Sequence, residues 1–346
     1  MIKNQVYRRN SSMMTTTMKI YFLISSERSG SNFLAKVLDS HSDICGPSIK
    51  HIINPLAQNL FRYKDLGNKI NRDALIEDLH ALLSTGFSAW KTRHTIESLH
   101  EMFEDTNIAG LIKNIFAAEA EAHGKKNIFI KENHIYRFMS FLLLNFPEAR
   151  YVYNIRDPRD VALSWKNNPT HKGGIIAAAR QWQKDQVKSL QIFSVLQPLN
   201  RIHLIRYEDL VTNTEDTLKT LCEFMGLDFE HGMLDFHTDK LTRENSGLDV
   251  AWRNLSSPVI KNNTEKYKAE LSKKEIAYIE KICYLEMRWF GYEIHTPKEE
   301  LDAIPPGEIN AYHENEINTL PHEQRESLVD IMKAKAVFYN RDPRVD

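Results

Sequence analysis

Residues 21–38 constrain this chain more than any other stretch. An apolar run of β-formers, Tyr21-Phe22-Leu23-Ile24, ends in Ser25-Ser26-Glu27-Arg28-Ser29-Gly30-Ser31-Asn32. Phe33, Leu34, Val37 and Leu38 then recur at i, i+1, i+4 and i+5, the period of a helix. The segment therefore reads as strand, tight turn and helix. Such a junction aims unpaired backbone N–H groups and the positive end of a helix dipole into the turn. Arg28, Ser29, Ser31 and Asn32 add donors, so the turn suits a phosphate. The plainer use of the same residues is to cap a βα corner.

Residues 150–166 repeat the logic. A strand over 151–155 runs into Arg156-Asp157-Pro158-Arg159-Asp160. Asp157 suits the N-cap, Pro158 the first helical position, and Asp160 the acid of a capping box. Ser164 follows Arg156 by eight residues, about two helical turns along. A planar guanidinium and a hydroxyl on the next helix make a second phosphate site. Two such sites on neighbouring strands suit a ligand with phosphates at both ends. An ion pair of Arg156 with Asp157 or Asp160 is the alternative.

Elsewhere strands and helices alternate, which predicts a parallel sheet covered on both faces. Further strands are expected at 128–131 and 202–206. Helices are expected at 73–83, 110–122, 135–145, 175–196, 217–225 and 272–290, the last opened by a Ser272/Glu275 capping box. The insertion 47–125 is the natural source of substrate-binding elements. Pro305-Pro306-Gly307 reads as a break, and a helix over 323–337 is expected to rest on the body or on a partner. Arg341-Asp342-Pro343-Arg344 echoes Arg156–Arg159, but no strand precedes it.

The chain divides into a tail (1–18), a core domain (19–295) and a C-terminal extension (296–346). Its formal net charge of −1 gives no global field to recruit nucleic acid or an anionic membrane. Cys45, Cys222 and Cys283 form no C-x-x-C pair, which fits a reducing compartment and argues against a disulfide scaffold or zinc cluster. No segment reaches the length of a membrane span. Residues 1–18 lack the apolar centre of a signal peptide, so a cytoplasmic location is expected. Oligomeric state is not legible.

The two turns together resemble the sulfotransferases that use 3'-phosphoadenosine 5'-phosphosulfate (PAPS). That family carries (R/K)-S-G-(S/T)-x-(F/W/L) after its first strand and R-(D/N)-P-x-D-x-x-x-S after a later one. Arg28-Ser29-Gly30-Ser31-Asn32-Phe33 and Arg156-Asp157-Pro158-Arg159-Asp160 with Ser164 match both. Arg206-Tyr207-Glu208-Asp209-Leu210, residues 252–261 and Cys283 to Tyr292 extend the likeness over roughly residues 19–294. Its flavour is that of the bacterial and tyrosyl-protein branch. The resemblance implies an α/β fold: a single P-loop-like domain with a central parallel sheet flanked by helices, plus the C-terminal extension.

It also implies transfer of a sulfuryl group from PAPS to a hydroxyl or amine, releasing PAP, without a metal. Arg28, Ser29, Gly30, Ser31 and Asn32 are expected on the 5'-phosphosulfate, and Arg156 and Ser164 on the 3'-phosphate. Phe33 and Tyr207 would border the adenine, or simply fill the core. Lys131 would touch the bridging oxygen. The base stays open. Where relatives place a Glu, this chain has His41-Ser42-Asp43-Ile44-Cys45-Gly46-Pro47-Ser48. His51, His134 and Glu132 are the candidates, His134 standing one residue further from Lys131 than the family's K-x-H. A small-molecule acceptor is expected. Two other classes remain: a P-loop kinase or NTPase, disfavoured because G-x-x-x-x-G-K-(S/T) is missing, and a non-catalytic nucleotide-binding protein.

Overall fold

The structure is a computed structural model that describes residues 18–103, 107–238, 257, 263–322 and 326–341. Residues 1–17 of the tail and residues 252–256 and 258–261 of the family-like segment lie outside the described residues, as do 342–346. Five strands, β1 (Ile20–Ser25), β2 (Ile44–Cys45), β3 (Asn127–Lys131), β4 (Arg150–Ile155) and β5 (Ile202–Arg206), form a sheet in the order β2-β3-β1-β4-β5. All four pairings are parallel. The expected parallel α/β sheet is therefore present.

β1 is buried from Ile20 to Ile24, and its side chains alternate between two cores. Ile20, Phe22 and Ile24 enter one, while Tyr21 and Leu23 enter the other. This is the period of two expected of an extended chain. Helix α1 (Ser31–Asp39) covers the second face with Leu34, Val37 and Leu38. The first face is covered by helices numbered here in chain order: α2 (Ile53–Asn59), α3 (Lys69–Leu83), α4 (Ile96–Met102), α5 (Ile108–Ala122), α6 (Met139–Asn145), α7 (Pro158–Lys166) and α8 (Gly174–Leu196). Helices Lys273–Trp289 and Pro306–Thr319 pack on α8 from outside.

α1 leaves β1 toward one face, and α7 leaves the adjacent β4 toward the other. The crevice between those two turns is the topological switch point, the usual binding site of an open parallel sheet. Both phosphate-type turns meet there.

Several local expectations resolve differently. β2, α2, α4 and helix Lys298–Ala303 were not foreseen, being short and held by packing rather than by pattern. The helix expected at 135–145 begins as a 3-10 turn, Ile135–Phe138. Pro306 does not merely break the chain; it occupies the first turn of Pro306–Thr319, where its missing N–H costs nothing. The Ser272/Glu275 capping box is formed in both directions. Asp160 forms no capping box. Its carboxylate instead accepts the remote Glu265 and Tyr267 N–H groups at 2.7 and 3.2 Å.

Candidate active site

The two turns are stitched together across the switch point. Arg156 Nη1 donates to the Arg28 carbonyl at 3.0 Å, and Asn154 Nδ2 donates to the Ser29 carbonyl at 2.7 Å. Arg28 Nε donates to Ser164 Oγ at 3.0 Å. Arg28, Arg156 and Ser164, separated by up to 136 residues, thus meet within one crevice. Arg156 also donates through Nη2 to the Asn263 carbonyl at 2.8 Å and lies 4.4 Å over the Tyr207 ring. Trp182 Nε1 donates to the Arg156 carbonyl, and Glu208 accepts the Asp157 N–H. The turn is therefore fixed from three sides.

Arg156 makes no ion pair with a carboxylate among the described residues. Asp157 is taken by Arg159, which also reaches Glu280 at 2.7 Å. The ion-pair alternative for Arg156 thus belongs to its neighbour. Arg156 Nε and Ser29 Oγ are buried and have no hydrogen-bond partner among the described residues. Buried polar atoms are rarely left so, and these two lie on the two turns that meet at the switch point.

Gly30 explains why the turn needs glycine. It caps α1 with φ of 79°, and a Cβ there would stand 2.3 Å from the Tyr207 ring. The following residues divide their roles. Ser31 is buried at the start of α1, Asn32 Oδ1 accepts Lys131 Nζ at 2.7 Å, and Phe33 packs edge-on against Phe236 and Tyr207. Tyr207 accepts Asn263 Nδ2 at its hydroxyl. The ring of Tyr207 thus serves the core and the crevice at once.

The base candidates separate clearly. Glu132 is buried beyond the end of β3, and its two oxygens accept the Ile53 and Asn54 N–H groups at 2.6 and 3.0 Å. It caps α2. Burial raises its carboxyl to about 7, against the pull of those donors. His51 is buried beside Phe87, with Nδ1 unpartnered among the described residues. Burial, with the charges of Lys335 and Lys131 behind it, drives its imidazolium pKa well down. His134 is only half-buried. Its Nδ1 lies 3.4 Å from Asp185 Oδ1, while its Nε2 stands 3.9 Å from Glu27, beyond hydrogen-bond reach. Arg28, His51 and His134 all hold positive φ, between 54° and 66°, strain of the kind that gathers at working sites.

Glu27, His171 and Asp185, which surround His134 and the first turn, escaped the sequence reading. Glu27 accepts His171 Nε2 at 3.1 Å and Asn133 Nδ2 at 2.6 Å. Burial alone raises its carboxyl, but the hydrogen bond and charge of His171, with His134 and Lys131 behind, bring it down to about 2. Asp185 also accepts Tyr136 and Gln181. The one available signal was Glu27's place directly before Arg28.

One trio at the opposite, N-terminal edge of the sheet brings Asp39, Cys45 and His123 ligand atoms within 4.8 Å of one another. Asp39 is already engaged by Lys36, Lys125 and the Gly46 N–H. Two ammonium groups there oppose a cation. Among the described residues no helix is long and apolar enough to cross a membrane.

A model of the sulfotransferase family matches residues 21–231. Carbohydrate sulfotransferase 1 of Danio rerio is 30% identical over 101 residues, covering 29% of this chain and 24% of the relative. The chain thus aligns with about a quarter of that relative's length. Among solved structures, the sulfotransferase domain of the Synechococcus PCC 7002 olefin synthase is similar at 20% identity and a TM-score of 0.55, covering 85% of this chain and 100% of that one. The sulfotransferase domain from the curacin biosynthetic pathway gives 20% identity and 0.54, covering 80% and 99%.

Proposed function

The chain belongs to the sulfotransferase family, and from that premise we propose that it transfers a sulfuryl group from PAPS to a hydroxyl or amine of a small-molecule acceptor. The observation that carries the reading is a pair of buried polar atoms, Arg156 Nε and Ser29 Oγ, that have no hydrogen-bond partner among the described residues and lie on two turns joined at the switch point. They fit a ligand with phosphates at both ends. PAPS would supply the activated sulfuryl group and leave as PAP. Arg156 and Ser164 would hold the 3'-phosphate, Arg156 by its fork. The 26–32 turn would hold the 5' end with backbone N–H groups and Arg28.

In such transfers most of the catalysis is positioning and stabilisation of charge. Arg28 and Lys131 would stabilise the charge that grows on the departing oxygen. His134 is the base best supported. Its Nδ1 faces Asp185, which orients the ring, and Nε2 is left to take the acceptor's proton. Glu132 has both oxygens committed to α2, and His51 has no orienting carboxylate among the described residues. Phe33 and Tyr207 would border the base of the nucleotide. No residue in this scheme calls for a metal. A cytoplasmic setting, as read from the sequence, is consistent with a metabolite acceptor.

Incubation with sulfur-labelled PAPS and a metabolite extract tests the reading. Label should pass to an acceptor and PAP should accumulate. PAP binding without any transfer would leave only the non-catalytic nucleotide-binding alternative. Phosphate release from ATP with Mg²⁺ would favour the kinase reading.

A further inference from the structure

Helix Glu326–Asn340 packs on α2 and α3, the helices beside the candidate base region. Ile331, Lys335 and Phe338 stand at i, i+4 and i+7, on one face. Ile331 and Phe338 are buried, and Phe338 meets the Tyr63 ring edge-on at 6.2 Å. The helix end is then locked. Arg341 reaches Asp78 at 2.6 Å, and its carbonyl accepts Arg62 Nη1 at 2.9 Å. The register is therefore fixed, and it turns Lys335 inward with the two apolar anchors.

Lys335 is half-buried, and a charge drawn partly out of water is costly unless paired. Among the described residues no carboxylate oxygen lies within 4.0 Å of the Lys335 ammonium. The groups whose fields reach it are Glu132, Glu27 and Arg137, and its own field reaches His51. Both carboxylates are spent elsewhere. Glu132 caps α2, and Glu27 holds His171 and Asn133. Arg137, exposed on the 3-10 turn that also packs on α2, adds a like charge. Lys335 and Arg137 thus stand on two elements that both pack on α2, the helix whose N-terminus Glu132 caps, with the nearby acids committed.

We propose that helix Glu326–Asn340 completes the acceptor pocket, and that Lys335, with Arg137 beside it, binds an anionic group of the acceptor. The class is a small molecule carrying a carboxylate, phosphate or sulfate ester away from the hydroxyl or amine that receives the sulfuryl group. The inference rests on the sulfuryl-transfer reading above and adds the charge of the acceptor to it.

The test separates a metabolite extract by anion exchange at neutral pH into retained and unretained fractions. Each is incubated with PAPS and wild-type protein, Lys335→Gln or Lys335→Arg, and mass gains of one SO₃ are counted. PAP affinity is measured for all three by calorimetry. The expected result is products from the retained fraction only, an about tenfold lower yield with Lys335→Gln at low acceptor concentration, and recovery with Lys335→Arg. PAP affinity should be equal throughout, which shows that each variant is folded. Products from the unretained fraction, or equal yields from Lys335→Gln and wild type, overturn the inference and leave the donor reading standing. A wild type that binds no PAP, or binds it and yields no product from either fraction, overturns the donor or transfer reading instead, and the inference with it.

Discussion

The turn at residues 26–30 and the pocket around His51 lie on either side of Lys131, yet they are assembled by different means. The turn is made of consecutive residues between a strand and a helix, and one partner turn of the same design faces it. Its conformation follows from local chemistry, a glycine at φ of 79° and a helix N-terminus, and Asn154 and Arg156 at the end of the adjacent strand then hold it in place. The pocket draws Lys50 and His51 from one loop, Trp90 from another and Glu132 from the end of β3, and the C-terminal helix packs beside them from far along the chain, on α2 and α3. Each turn that would bind the donor is written locally, and what would choose the acceptor is assembled at long range.

That comparison can be broken at either side. The largest effect is expected from His134→Ala, which should lower turnover about 10²–10⁴-fold while PAP affinity stays unchanged. His51→Ala should cost far less. Steady-state rates with both variants decide the point, and a reversed order would move the base to the buried pocket. Asp185→Asn should follow His134→Ala in direction, because it leaves the ring misoriented. Its kcat should fall with little change in KM.

On the donor side, Gly30→Ala should weaken PAP binding and lower thermal stability together. The added Cβ has no room beside Tyr207, and the positive φ adds about 1–3 kcal/mol of strain. Thermal melts with and without PAP measure both. Lys131→Ala should retain PAP and lose about tenfold in kcat, as expected of a group acting mainly in the transition state. Unchanged turnover would return Lys131 to a role in holding Asn32.

The smallest effect is a slope. The folded-state pKa of Glu132 is raised to about 7 from an ordinary 4.5, so the folded protein holds that proton more tightly than the unfolded chain. Stability should therefore fall as pH rises from about 4.5 to about 7. Glu132→Gln should flatten that part of the curve, whatever it costs at a single pH. Denaturant midpoints across the window provide the check.

The sheet, its order of strand and helix, and both crevice turns were legible because each rests on neighbours in sequence. Asp157, Pro158 and the Ser272/Glu275 box behave as their local chemistry dictates. Asp160 shows where such reading stops. It occupies a capping position, but two N–H groups more than a hundred residues away hold its carboxylate. The base region failed to resolve for the same reason. Nothing near His134 in sequence announces Asp185, and nothing near Glu27 announces His171. Glu132 looked available because its capping of α2 depends on a helix too short to leave a periodic signal.

The central claim is that two turns at the switch point hold the two phosphate ends of one nucleotide, with Arg156 on the 3'-phosphate. Calorimetry of PAP and adenosine 5'-phosphate against wild type and Arg156→Ala tests it most directly. Wild type should prefer PAP strongly. Arg156→Ala should lose about 2–4 kcal/mol of PAP affinity, by analogy with truncated charge pairs, and should bind the two nucleotides nearly alike. Equal PAP affinity in the two proteins, or a preference for PAP that survives without Arg156, would contradict the account.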